Sequence, residues 1–190
     1  MVSRLIVGAI TFNFAPGLGE WYSPVVPGSG LHPRPGSAHS LKEFFPEIDA
    51  SWSTLYYPTR RGETVDEVLD RADAVCKALI PTIASRRPRD IDHSRVLLVS
   101  HAATVIAFTR SLIGNRDLPL LVGCASLTVL DRKDDASLGS VIGAYNPTKL
   151  ANGDHLKEGA SREWGFRDIE ISKGKVSVLF LQFCGFIHQL

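Results

Sequence analysis

The sequence predicts one α/β domain built in three layers, and three observations carry that expectation. Short apolar runs of strand length alternate with stretches of helical period along the chain. The run Val96-Leu-Leu-Val99 is apolar throughout, as in a strand covered on both faces. At 190 residues, 44% hydrophobic and 22% charged, the chain suits a single domain, residues 1–190, with a buried core.

The elements follow in order. Residues 5–12 form an apolar run that reads as a buried strand; it is short for a signal sequence, and no clear small-x-small cleavage site follows it. Residues 15–37 are punctuated by Pro16, Gly17, Gly19, Pro24, Pro27, Gly28, Gly30, Pro33, Pro35 and Gly36, which predicts a long ordered loop of the kind that forms lids or binding loops. Ser40-Leu-Lys-Glu-Phe-Phe-Pro46 reads as a short helix, capped by Ser40 and stopped by Pro46. Thr64-Val-Asp-Glu67 is a capping box, and Val65, Val68, Leu69, Ala72, Val75, Cys76 and Leu79 continue at helical spacing until Pro81 ends or kinks the helix. Arg86-Arg-Pro-Arg89 has no aromatic partners and reads as a solvated linker rather than a phosphate site. A strand over residues 95–100 then feeds a helix over 102–113, closed by Gly114-Asn115. Later strands are expected at 126–130, 141–145 and 175–180.

The totals exclude several classes. A net charge of +1 gives no global reason to expect direct nucleic-acid or membrane binding. The longest apolar stretch, residues 176–187, carries Ser177 and Gln182 and falls short of the roughly 20 residues a spanning helix needs. Cys76, Cys124 and Cys184 are odd in number and far apart, which argues against a disulfide framework and against a Cys-x-x-Cys metal site. A reducing compartment, cytoplasm or nucleus, fits that usage.

One hinge concentrates the chemistry. His101 falls where a strand end meets a helix start, the position at which α/β sheets place their sites. The amides of Ala102 and Ala103 would face an anion there, their small side chains would let it approach, and Ser100 and Thr104 add hydroxyls. The plainer alternative is a histidine that caps the helix or fills the core. In Gly17-Leu-Gly-Glu-Trp-Tyr22, Glu20 lies beside two aromatics that could shield it as a general acid requires, the alternative being a surface acid in a turn. Ser100 lacks a Gly-x-Ser-x-Gly elbow, which argues against a serine nucleophile.

Taken together, Gly17-Leu-Gly-Glu20, Arg61-Gly-Glu-Thr64 and Val96-Leu-Leu-Val-Ser-His-Ala-Ala103 resemble the histidine phosphatase superfamily, the phosphoglycerate mutase-like fold, from about Pro16 to Ile171. Phe45-Pro-Glu-Ile-Asp49, Gly123-Cys-Ala-Ser-Leu127 and Arg162-Glu-Trp-Gly-Phe-Arg-Asp-Ile169 resemble a fungal branch related to the histidine-phosphatase-like subunit of the RNA polymerase III general initiation factor. The resemblance implies His101 as second catalytic histidine and phosphate ligand, and Glu20 as the acid that protonates the leaving oxygen. It places Glu63 at a recurrent position near the site, where a helix-start acid facing the dipole is the preferred reading. It implies phosphoester hydrolysis through a phosphohistidine, with no metal or organic cofactor. Partners would be a phosphorylated small molecule or phosphoprotein, or protein partners in a transcription complex.

The pattern also departs from the family. No Arg-His-Gly occurs, and no histidine precedes Glu20. His32, His39, His93, His155 and His188 read as loop or surface residues. The expected fold therefore lacks its usual first strand-helix segment. Either the chain is an amino-terminally incomplete phosphatase, or it is a non-catalytic phosphate-binding or interaction module. Both imply little or no turnover, because such groups act as a unit. The strand at 95–100 would be left with an open edge, which residues 5–12 are expected to fill in part.

Overall fold

Two helices packed through their apolar faces organise the chain. The structure, a computed structural model, describes residues 12–86, 95–137, 139–166, 169–172 and 175–178. A 3-10 turn, Pro16–Leu18, precedes α1 (Ala38–Leu41), α2 (Val65–Ser85) and α3 (Ala102–Ile113).

In α2 the capping box closes as its sequence requires: the Thr64 hydroxyl accepts from the Glu67 amide at 3.2 Å, and the Glu67 carboxylate accepts from the Thr64 amide at 2.7 Å. Pro81 lies inside this helix and does not end it. The helix continues because Leu79 is buried and Ile80 and Ile83 pack on the core, so tertiary contact on both sides outweighs the donor that proline lacks. α3 ends at Gly114, whose φ of 80° is left-handed and whose absent side chain admits Gly143: a Cβ there would stand 2.7 Å from the Gly143 Cα. The core joins Val68, Ala72, Val75, Cys76 and Leu79 of α2 to Ala103, Ala107, Phe108 and Leu112 of α3, with Trp21, Trp52 and Val141 closing it.

The described strands form three antiparallel pairs. β1 (Val122–Cys124) pairs with β4 (Ser161–Trp164), with Val122 opposite Trp164. β2 (Leu127–Arg132) pairs with β3 (Tyr145–Asn152), and β5 (Ile169–Ser172) with β6 (Lys175–Val178). The architecture is thus mixed α/β, helices with small antiparallel sheets. Among the described residues, no helix is long and apolar enough to cross a membrane.

Several sequence expectations are corrected. Residues 95–100 are not a strand: no ladder partner lies beside them among the described residues, and Val96, Leu97, Leu98 and Val99 are 49%, 78%, 37% and 81% exposed. A strand needs a neighbour's donors and acceptors, which its own composition cannot supply. Residues 141–144 form a turn, not a strand, because Gly143 takes a φ of 73° and the Lys133 amide bonds the Ala144 carbonyl at 2.9 Å; the strand begins only at Tyr145. The short helix starts earlier than expected, since Ser37 rather than Ser40 caps it, accepting from the Ser40 amide at 3.1 Å. The strand expected at 126–130 is β2, and β6 covers the described part of that expected at 175–180. Residues 5–11, 87–94 and 179–190 lie outside the described residues, and with them most of the amino-terminal strand and the basic linker, His93, His188 and Cys184. Phe12 is described: it bridges Ile48 in parallel and is 55% exposed.

Candidate functional site

The glycine-rich turn before Glu20 offers carbonyls but few side chains, so neighbouring helices hold it by its backbone. The buried Arg71 of α2 donates from Nη1 to the Gly17 carbonyl at 2.8 Å and to the Gly19 carbonyl at 3.3 Å. The Ser100 hydroxyl donates to the Leu18 carbonyl, and the Thr104 hydroxyl to the Gly19 carbonyl at 2.7 Å. Three consecutive carbonyls are therefore clamped from α2, from the hinge and from α3. Gly17 is required where the turn crosses α2, since a Cβ would stand 2.7 Å from Val75 Cγ2. The clamp fixes the backbone from which Glu20 projects.

Glu20 meets His101 directly. Its Oε2 lies 3.1 Å from His101 Nδ1, and its Oε1 accepts the Trp21 amide at 2.8 Å. His101 is the N-cap residue of α3, where its carbonyl accepts from the Val105 amide, but its side chain does not cap. Ala102 and Ala103 follow on the first turn, and with Glu20, Trp21 and Trp164 they line a cleft of about 340 Å³. Trp21 is buried and anchored by its indole N–H on the Glu63 carbonyl at 2.7 Å. Trp164 reaches the cleft through β4, its ring centroid 6.2 Å from that of Trp21, while Phe166 sets an edge against both indoles.

Of the residues singled out in the sequence, Glu20, Ala102 and Ala103 line this cleft, and His101 stands beside it in contact with Glu20. Ser100 and Thr104 serve the loop clamp instead. Glu63 stays in the scaffold: it is buried, and both carboxylate oxygens reach Arg71 Nε, at 2.9 and 3.0 Å. Burial lifts its carboxyl above the ordinary value, against the pull of Arg71. Its structural role runs through Arg71. The aromatic shield expected over Glu20 does not form, because Tyr22 stacks on His32 at 4.7 Å and the Glu20 side chain stays 41% exposed. His155 lies in a loop with Nε2 3.0 Å from the Ala125 carbonyl.

Two residues of the site escaped the sequence reading. Arg71 carried a signal: it falls three residues after Val68 and four before Val75, a charge on the apolar stripe of α2. Trp164 carried none beyond its place in Arg162-Glu-Trp, because only the β1–β4 pairing brings it to the cleft.

Chemically, the arrangement is a carboxylate and an imidazole already in contact. The contact engages Nδ1 of His101 and leaves the second ring nitrogen, Nε2, outside it. Among the described residues, no histidine lines the cleft itself, His101 standing beside it against Glu20.

No protein-family model matches the chain. Over 99 residues it is 33% identical to the transcription factor tau 55 kDa subunit of Saccharomyces cerevisiae; the match covers 52% of this chain and 22% of that relative. The chain therefore spans only a minor part of the protein it matches.

Proposed function

We propose that the chain is a protein-interaction module, a subunit of a nuclear transcription-factor complex, on a three-layer phosphoglycerate mutase-like frame that has lost turnover. The observation that carries this reading is the likeness to the tau 55 kDa subunit across half of the chain. The exposed run Val96–Val99 agrees with a binding surface. The test is purification of the chain, tagged, from nuclear extract of its own cells, with size-exclusion analysis and mass spectrometry of what co-elutes. Co-elution with other transcription-factor subunits is expected; recovery of the chain alone refutes the reading.

A second reading is a histidine phosphatase-like phosphomonoesterase, supported by Glu20, Ala102 and Ala103 lining one cleft with His101 in contact with Glu20 beside it. Its substrate would be a phosphorylated small molecule or phosphoprotein, with no metal or organic cofactor. Hydrolysis of an aryl phosphate by the chain and by His101→Ala decides it. Equal background rates exclude turnover, and saturable vanadate binding lost in His101→Ala would leave a phosphate-binding module.

A further inference from the structure

We propose that the cleft between Trp21 and Trp164 receives an alkylated ammonium group, carried on a lysine side chain of an extended peptide. The walls are two indoles at a mutual tilt of 55°, with centroids 6.2 Å apart. A methylated ammonium sheds water readily and is drawn to the negative face of such rings. The Glu20 carboxylate stands at the same cleft, half-exposed. A bound cation offsets the charge of that carboxylate, and a bound anion would be opposed by it. The Ala102 and Ala103 side chains leave the floor open.

The walls are held before any ligand arrives. Trp21 is tied by its N–H to Glu63, both indoles rest on Phe166, and the Arg110 guanidinium lies 5.5 Å over the Phe166 ring. Little ordering is then lost on binding.

The peptide source follows from what leads into the cleft. Residues 95–100 run straight into His101 and Ala102, they have no strand partner among the described residues, and four of their apolar side chains are exposed. An extended peptide can pair with this unpartnered backbone and deliver a side chain to the cleft at its end. The inference is independent of both readings above: a phosphate site and a cation cage at this cleft give opposite ligand preferences.

The experiment titrates tryptophan emission with an apolar-flanked peptide bearing trimethyllysine, with the same peptide carrying the neutral carbon isostere, with choline and with inorganic phosphate. The trimethyllysine peptide is expected to bind on the order of tenfold more tightly than its isostere. Glu20→Gln should remove most of that ratio, Trp164→Phe should keep part of it, and Trp164→Ala should abolish it with an unchanged far-UV spectrum. Should Trp164→Ala unfold, the first two variants decide. Val99→Pro should weaken the peptide and leave choline unaffected, because it removes one edge donor. Equal affinity for peptide and isostere overturns the cation cage. Choline binding as tightly as the peptide overturns the peptide source. Saturation by phosphate without a response to ammonium overturns the proposal in favour of the phosphate reading, and leaves the transcription-complex reading untouched.

Discussion

Arg71→Met is the substitution that most directly tests how the site is held. Methionine keeps a long apolar stem and removes every donor of the guanidinium. Two losses follow from the geometry. Glu63, 4% exposed, is left as a buried carboxylate without its cation, a loss of about 3–5 kcal/mol when one member of a buried pair is deleted. The Gly17 carbonyl loses its donor, at about 1–3 kcal/mol, whereas the Gly19 carbonyl keeps Thr104. The two are not additive, because Glu63 can escape by taking up a proton. We expect about 4 kcal/mol near neutral pH, against a total of about 5–15 kcal/mol for a domain.

The pH dependence has a definite sign. Burial already raises the Glu63 carboxyl in the folded protein, and removing Arg71 removes the opposing pull. The native variant then holds a proton that the unfolded chain releases. Stability from this group is present below the unfolded value and is lost as pH rises through the folded value. The deficit of Arg71→Met, measured by urea unfolding with far-UV detection, should therefore shrink from about pH 7 to about pH 5. Adding Glu63→Gln should recover part of it at the higher pH. A cost under about 1 kcal/mol, the size of an ordinary surface effect, or a deficit that grows on acidification, would refute the reasoning.

Three further outcomes can be measured on the same preparations. Leu97→Asp with Val99→Asp should change unfolding stability by no more than about 0.5 kcal/mol per site while reducing light scattering at high concentration; a cost above about 2 kcal/mol would mean that residues 95–100 are buried in solution. Iodoacetamide labelling mapped by mass spectrometry should modify exposed Cys124 and spare Cys76, whose thiol burial pushes up to about 12; equal labelling in the folded protein would contradict the core packing of α2. Gly114→Ala should cost about 1–3 kcal/mol in denaturant unfolding, since it meets both a left-handed φ of 80° and the Gly143 backbone, and a neutral outcome would show that this turn is not held as described.

What was legible in the sequence divides along the range of the forces involved. α2 and α3 could be read because Thr64, Glu67 and Gly114 act within a turn of their own position. The 95–100 run could not, because its composition fixes strand preference but not the presence of a neighbour. Of the two outcomes open at Pro81, the helix does not end there, because packing at Leu79 and Ile83 offsets the local penalty. At the site, Glu20 and His101 were visible through their unusual settings, a glycine turn and a helix hinge. Their contact was not visible, and neither was its support. That support falls on the Gly17, Leu18 and Gly19 carbonyls, which every sequence possesses, so only the donors could have announced it. Of those donors, Ser100 and Thr104 were noticed for another role, and Arg71 was passed over although it stands as a charge on an apolar stripe. A buried guanidinium on the core face of a helix is costly unless something polar must be held there, and here that something is the turn that aims Glu20.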